Sequence, residues 1–229
     1  MSKVIKTIVS ILLLFVIVGL AYAIVRSIQE PVQFDKAVKS RESVGIQRLK
    51  DIRDLQVAYK SVNGKFASTI DSLLMFYNTG KMEVVLQVGS NDDSLAVVNT
   101  ENLKKANKKI TQEELYQRYL NGENVIAVLR TAVPVKDTLF ASRKDFIPDS
   151  LKYIPFSGKM ETEMEAAIKK VSGVDVPLFE ARMPYKKLLK GLDNQLRINL
   201  DDEKRTQNRY EGLQVGSISA PNNNAGNWE

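Results

Sequence analysis

An uninterrupted apolar run near the N-terminus constrains this chain more than any other feature. Residues 7–25 read TIVSILLLFVIVGLAYAIV and include no charged residue. As an α-helix rising about 1.5 Å per residue, this run spans roughly 28 Å, which is close to the hydrocarbon thickness of a bilayer. We therefore predict a short cytoplasmic tail over residues 1–6 and a transmembrane helix over residues 7–25.

A cleaved signal peptide is the competing interpretation of the same run. Ala21-Tyr22-Ala23 has the small-x-small form of a cleavage site. The apolar run continues through Ile24 and Val25, however, and is longer than the roughly 7–15 residues of a signal-peptide core. The anchor interpretation is therefore preferred, with Met1 or Ser2 as the mature N-terminus.

Charges around the run predict its orientation. Lys3, Lys6 and the terminal amine precede it, whereas Arg26 follows it and further basic residues begin at Lys36. Because the N-terminal tail is so short and positive charge is retained on the cytoplasmic side, we predict that the tail is inside. The chain is thus expected to be a single-pass protein of the inner (cytoplasmic) membrane, with its C-terminal domain outside the cytoplasm.

Composition removes several classes of chemistry. The chain has no cysteine and no histidine, so disulfides, Cys-His and Ser-His nucleophile pairs and the usual zinc ligand sets are absent. The acidic runs 92–93 and 201–203 could bind a hard cation, but neither matches a calcium-loop motif, and we interpret both as solvated turns. We predict no enzyme activity, catalytic residue, metal site or cofactor, although an acid–base pair of distant carboxylates stays open.

A net charge of +6 raises the question of an anionic partner. The basic segments 36–65 and 104–109 lack interleaved aromatic residues that could stack on bases. We therefore predict no nucleic-acid binding, and interpret the first segment as a solvated helix face beside lipid headgroups.

The segment after the anchor, residues 26–62, predicts a juxtamembrane stalk helix. Glu30-Pro31 is predicted to break or kink it, after which helix resumes near Phe34 and ends at Asn63-Gly64. An apolar stripe at steps of three and four residues runs along its second half. Its members are Leu49, Ile52, Leu55, Tyr59 and Val62.

The stripe has two possible uses: packing against the protein's own sheet, or a seam with a partner protein or a second copy. We expect Leu55, Tyr59 and Val62 to pack within the chain, because Gly64 turns it back over them. The stretch before them, residues 44–52, is expected to be free for a partner. The tail, residues 220–229, is predicted to be flexible, or alternatively to dock through its lone tryptophan. The candidate interface therefore comprises Val44, Ile46, Leu49, Ile52 and Trp228.

The rest of the chain, residues 63–219, predicts an α+β domain with helices mostly first and then a largely antiparallel sheet. Ser68 is predicted to cap a helix, and Thr111 with Glu114 forms a capping box. Predicted helices cover residues 69–78, 111–121 and 185–192. Predicted strands cover residues 81–89, 124–135, 151–154, 160–171 with 176–181 as a hairpin, 195–200 and 213–219. Residues 160–171 also carry a helix-like charge pattern, and we choose the hairpin.

Two resemblances add to this interpretation. The anchor, the amphipathic helix and a Tyr-x4-Gly-x-Phe motif (Tyr59, Gly64, Phe66) resemble the front of type IV pilins and pseudopilins over roughly residues 1–75. The processing glycine and early glutamate of that family are missing, and nothing between Met1 and Arg26 is acidic. The whole chain also resembles an uncharacterised family of Gram-negative single-pass membrane proteins. That resemblance rests on residues 136–140, 153–157, 188–196 and 222–229.

These observations predict where the protein is located but indicate no chemical reaction. The leading hypothesis is a membrane-anchored, non-enzymatic structural or scaffolding component of a cell-envelope assembly, with lipid around residues 7–25 and a protein partner or second copy on the juxtamembrane helix. The alternative is a membrane-tethered module that binds a ligand or the cell wall. An aromatic-lined pocket would favour the alternative, and a flat apolar seam would favour the scaffold.

Overall fold

The computed structural model describes the backbone of residues 3–229 and the side chains of residues 11–229, so residues 1–2 of the predicted tail lie outside the described residues. The chain is α+β, as predicted. The helices are α1 (Lys3–Asn63), α2 (Ile70–Thr79), α3 (Ser94–Ala106), α4 (Gln112–Leu120), α5 (Val135–Thr138), α6 (Tyr185–Leu188) and α7 (Asn194–Thr206), with a 3-10 turn at Pro148–Lys152. The strands are β1 (Lys81–Val88), β2 (Ala127–Pro134), β3 (Glu163–Val171), β4 (Val174–Pro184) and β5 (Gly212–Gly216).

Helix α1 runs for 61 residues without interruption. At about 1.5 Å per residue it is roughly 90 Å long. The predicted break at Glu30-Pro31 is wrong, since Pro31 lies inside the helix. Proline has no amide hydrogen, so the carbonyl four residues before it loses its helical hydrogen bond. This part of α1 is exposed, so the carbonyl is accessible to groups outside the protein. The predicted transmembrane segment and the predicted stalk helix are therefore parts of one continuous helix.

The first half of α1 stands clear of the domain. Side chains from Ile11 to Gln33 are exposed, and the apolar window in this helix has a mean hydropathy of 2.5 with none of it buried. Within the described residues, this is the single helix long and apolar enough to cross a membrane. The first buried side chain is Phe34, so the folded domain begins about eight residues, or roughly 12 Å, beyond Arg26.

The second half of α1 is the spine of the hydrophobic core. Leu49, Ile52 and Leu55 are fully buried, and Phe34 and Val38 extend the same buried face toward the apolar half of the helix. Gly45 allows close approach of the sheet, because a Cβ placed there would lie 2.7 Å from Leu213 Cδ1. Partners from α2, β4, α6 and β5 complete this core. They include Leu73, Phe76, Phe179, Met183, Leu188 and Val215.

The strands form two antiparallel sheets. Strand β1 pairs with β2 across the full length of both, in a register that places Lys81 opposite Pro134 and Val88 opposite Ala127. The second sheet has the order β3-β4-β5. The hairpin chosen for residues 160–181 is confirmed as β3 and β4, joined at Ser172-Gly173, and both turn residues have positive φ. The capping box at Thr111 is also confirmed.

Several predicted elements are wrong. Residues 195–200 lie in α7, which Asp193 caps and which places Leu196 and Leu200 one turn apart on its partly buried face. Residues 151–154 belong to a 3-10 turn and a single bridge from Tyr153 to Glu161. Helix α2 is capped by Thr69 and not by Ser68. Helix α3 was not predicted, because it buries few side chains and has no apolar stripe.

The burial of α1 predicts different outcomes for two matched substitutions. Leu55→Asp places a carboxylate in the fully buried stripe, which costs several kcal/mol of a total stability of roughly 5–15 kcal/mol. Val44→Asp changes a side chain that is 41% exposed on the same helix, so we expect a change within about 0.5 kcal/mol. Thermal melting of the purified full chain should show a large loss for the first variant only. Equal melting temperatures for both variants would contradict this account of the core.

Candidate functional site

The structure separates the five residues of the candidate interface. Leu49 and Ile52 are fully buried in the core, so the prediction that they are free for a partner is wrong. The cause is the close packing at Gly45, which brings α6 and β5 against the part of α1 that was expected to project freely. Val44 stays exposed, and Ile46 is half-buried against the core.

At the other end of the predicted stripe the outcome is also mixed. Tyr59 packs against the core and meets the Phe76 ring edge-on at 5.2 Å between centroids. Val62 is 48% exposed, because α1 ends one residue later, at Asn63. The stripe is therefore used within the chain from Leu49 to Tyr59, and Val62 lies beyond it.

The C-terminal tail is docked, which corrects the prediction that residues 220–229 are flexible. The Gly216 N–H donates to Ala225 O, and the Asn227 N–H donates to Gln214 O, each at 3.0 Å. Asn227 Nδ2 donates to Gly212 O at 2.8 Å, and Asn227 Oδ1 accepts from the Gln214 N–H at 3.1 Å. The tail thus covers the outer edge of β5 much as a further strand would.

The end of the tail reaches the first helix. Arg53 Nη1 donates to Glu229 Oε1 at 2.6 Å, and this hydrogen bond lowers the pKa of the Glu229 carboxyl. Trp228 is half-buried against the core and lines a cavity together with Ile46. Two of the predicted interface residues therefore do meet, but as parts of one domain.

This cavity, the tail cavity, has a volume of about 310 Å³ and lies between α1, the end of α7 and the tail. Its lining mixes aromatic and charged groups. They include Glu42, Ile46, Tyr185, Lys204, Tyr210 and Trp228.

Hydrogen bonding in the tail cavity is incomplete. The Tyr185 hydroxyl donates to the Glu42 carboxylate, and burial, followed by that hydrogen bond, raises the pKa of Tyr185. Burial also raises the pKa of Tyr210 to about 12, so both phenols are protonated at neutral pH. Trp228 Nε1 is buried and has no acceptor among the described residues.

The acidic runs have structural partners. Asp93 Oδ1 accepts from the Leu95 and Ala96 amides at the start of α3. Asp201 pairs with Arg197, and burial raises the pKa of this carboxyl, whose Oδ1 has no partner within the described part of the chain. Over the described residues, no three Asp or Glu side chains converge as a metal site would require.

A second feature, which sequence reasoning missed as a site, is the outer edge of β1. The Val135 N–H donates to Gly80 O at 3.0 Å, so these two residues form a hydrogen-bonded pair of the antiparallel ladder. Because hydrogen-bonded and non-hydrogen-bonded pairs alternate, every second residue of β1 directs its backbone groups away from β2. In that alternation the amide and carbonyl groups of Glu83, Val85 and Gln87 point away from β2. Among the hydrogen bonds that the structure describes, none engages them.

The other sheet edges are protected in ways that proteins commonly use. The tail covers β5. On β2, the outward Val128 amide donates to Gln112 Oε1 at 2.8 Å, and Pro134 has no amide hydrogen. Strand β3 carries charged side chains along its length: Glu163, Glu165, Lys169 and Lys170.

The β1 edge is apolar as well as unpaired. Val84, Val85 and Leu86 are 37%, 52% and 47% exposed, and they occupy both faces of the strand. Charged side chains occur only near its start, at Lys81 and Glu83. The sequence signal was the run MEVVLQV, in which Met82, Val84, Leu86 and Val88 form one apolar face and Val85 adds an apolar side chain between Glu83 and Gln87 on the other.

Comparison of the chain with protein-family models, curated proteins and solved structures finds no match in any of the three. The resemblances to pilins and to the Gram-negative membrane-protein family therefore stay predictions.

The docked tail can be tested through Trp228, the single tryptophan of the chain. We expect weak quenching of its fluorescence by acrylamide, because the side chain is half-buried. Asn227→Ala removes two side-chain hydrogen bonds, worth about 1 kcal/mol each, and should raise the quenching constant. Asn223→Gly changes an exposed tail residue whose positive φ glycine accepts, and should have no effect. Strong quenching in the unaltered protein would restore the flexible tail.

Proposed function

We propose that this protein is a membrane-anchored, non-enzymatic scaffolding component of a cell-envelope assembly, with its domain on the extracytoplasmic side of the inner membrane. The domain offers the β1 edge to an extended strand of another polypeptide, which adds to the sheet by backbone hydrogen bonding. The observation that carries the proposal is the unpaired, apolar edge of β1 in a protein whose other edges are protected.

The continuous helix supports a scaffolding role. Since the apolar half of α1 and the core half of α1 are one helix, a domain so anchored is held close to the bilayer at a fixed distance. Because no flexible linker separates the two halves of this helix, a movement of one half displaces the other. The proposed orientation is supported by Lys3 and Lys6, which precede the apolar run.

The β1 edge can be blocked without disturbing the pairing of β1 with β2. Val85→Pro removes an outward amide and inserts a ring at the middle of the edge, a position where proline is compatible with an edge strand. We expect the assembly that contains this protein, extracted from membranes in mild detergent, to shrink to the size of the single chain. Native electrophoresis or sedimentation measures this size.

Ala132→Pro provides the control, because the Ala132 amide also points outward from β2, whereas Arg130, directly opposite Val85, forms an ion pair with Glu83 of β1 at 3.6 Å. This variant should keep the size of the unaltered assembly. Val85→Lys, which leaves the backbone intact and adds a charge to the edge, should act like Val85→Pro. An unaltered protein that already has single-chain size, or a Val85→Pro variant that keeps the larger size, would refute the proposal.

The tail cavity favours a second candidate function, a tethered module that binds a ligand of the cell wall. Tyr210 and Trp228 supply partly exposed aromatic rings with polar groups at their edges, whereas Tyr185 is buried and its hydroxyl is already bonded to Glu42. Aromatic faces combined with hydrogen-bond donors suit a glycan, which has apolar ring faces and oxygen acceptors.

Trp228 fluorescence also tests this candidate. Titration of the full chain with soluble muropeptides should shift the emission and saturate, and Tyr210→Phe should weaken the binding several-fold by removing one hydrogen-bonding group. Binding of equal strength by the Tyr210→Phe variant, or unchanged emission at millimolar muropeptide, would count against a glycan site.

A further inference from the structure

The sequence of β1 can pair with itself. An antiparallel partner must present its own outward-facing groups to the outward-facing groups of β1, so odd-numbered residues of one strand meet odd-numbered residues of the other. In a symmetric pair, the two-fold axis then passes through a single residue of β1. Only axes at Val84 or Val85 keep nearly the whole strand paired, because they are nearest to its middle.

Side-chain complementarity separates the two registers. With the axis at Val85, Glu83 lies opposite Gln87 of the second copy, where the amide can donate to the carboxylate, and Val84 lies opposite Leu86. With the axis at Val84, Glu83 lies opposite Val85, and its carboxylate keeps only its ion pair with Arg130 of the same chain, at 3.6 Å. An axis at Glu83 would place two carboxylates opposite one another, which is destabilising.

We propose that the occupant of the β1 edge is β1 of a second copy of this chain, antiparallel, with the two-fold axis at Val85. The proposal rests on the proposed function of the edge and specifies its partner. Each copy then exchanges both backbone hydrogen bonds at Val85, and the two ribbons join in one four-stranded sheet of order β2-β1-β1-β2.

Sheet energetics favour this arrangement. A two-stranded ribbon is marginal by itself, and this ribbon packs against α4 mainly through β2, so a partner strand would add support to β1. One face of the ribbon carries Met82, Val84 and Leu86, with Leu129 and Val133 on the adjacent strand. In the proposed register, Val84 and Leu86 of one copy contact Leu86 and Val84 of the other, so the apolar face becomes continuous.

The anchor favours the same partner. Two copies held in one bilayer by α1 have a much higher effective concentration than free domains. Two-fold dimers are also the commonest symmetric assembly.

The absence of cysteine from the chain allows a test of the register. In Val85→Cys the two thiols lie across the axis, where directly opposite Cα atoms are about 5.5 Å apart, within disulfide range. In Gln87→Cys the two thiols are offset by four residues, or about 14 Å, and cannot join. Mild oxidation of the full chain in its own membranes should give a disulfide dimer for Val85→Cys, and at least tenfold less for Gln87→Cys.

Arg130→Cys on the opposite edge of the same ribbon controls for random collision, and melting temperatures confirm that the three variants fold alike. Equal dimer yields from all three, or no dimer from Val85→Cys, would overturn the proposed pairing. If Val85→Pro still reduces the size of the assembly while Val85→Cys does not dimerise, the edge binds a different polypeptide. In that case the scaffold proposal stands and the second copy is excluded.

Discussion

The shared use of α1 is the constraint on which the rest of the structure depends. Leu49, Ile52 and Leu55 are fully buried at the centre of the domain, and the same helix continues into the exposed apolar run. The domain therefore cannot fold around α1 without fixing its distance from the apolar run. Because this helix forms the core from Leu49 to Leu55, the apolar stripe over that stretch is not available to a partner.

Differences in the protection of the sheet edges indicate which surface a partner would use. The tail, the Gln112 side chain and the charges of β3 each limit strand addition at one edge, whereas β1 presents valine and leucine with unpaired backbone groups. Such an edge is costly to leave open, because it promotes unwanted pairing. The partner strand that we propose would account for the difference between β1 and the other edges.

The sequence predicted correctly those elements that are determined by a few neighbouring residues. The capping box at Thr111, the turn at Ser172-Gly173 and the β-branched run of β1 each have short-range causes, and each was identified. The prediction of a strand over residues 195–200 is wrong because six residues are too few to distinguish the apolar spacing of a strand from that of a helix. Asp193, which caps α7, is the local signal that favours the helix. The burial of Leu49 and Ile52 and the docking of Trp228 depend on contacts between distant segments, which no local pattern encodes. For the same reason, the sequence predicted β1 as a strand but not its open edge.

A dimer built on β1 would end rather than propagate. Two-fold pairing uses the β1 edge of both copies, and the outer strands of the joined sheet are then the two β2 strands. On β2 the Val128 amide is already bonded to Gln112, and Pro134 has no amide to offer, so a third ribbon meets an interrupted edge. Isologous contacts of this kind close on themselves, whereas head-to-tail contacts extend into filaments. Within this proposal, a larger envelope assembly would need a further surface, such as the exposed Val44 or the tail cavity, whose lining includes no residue of the ribbon.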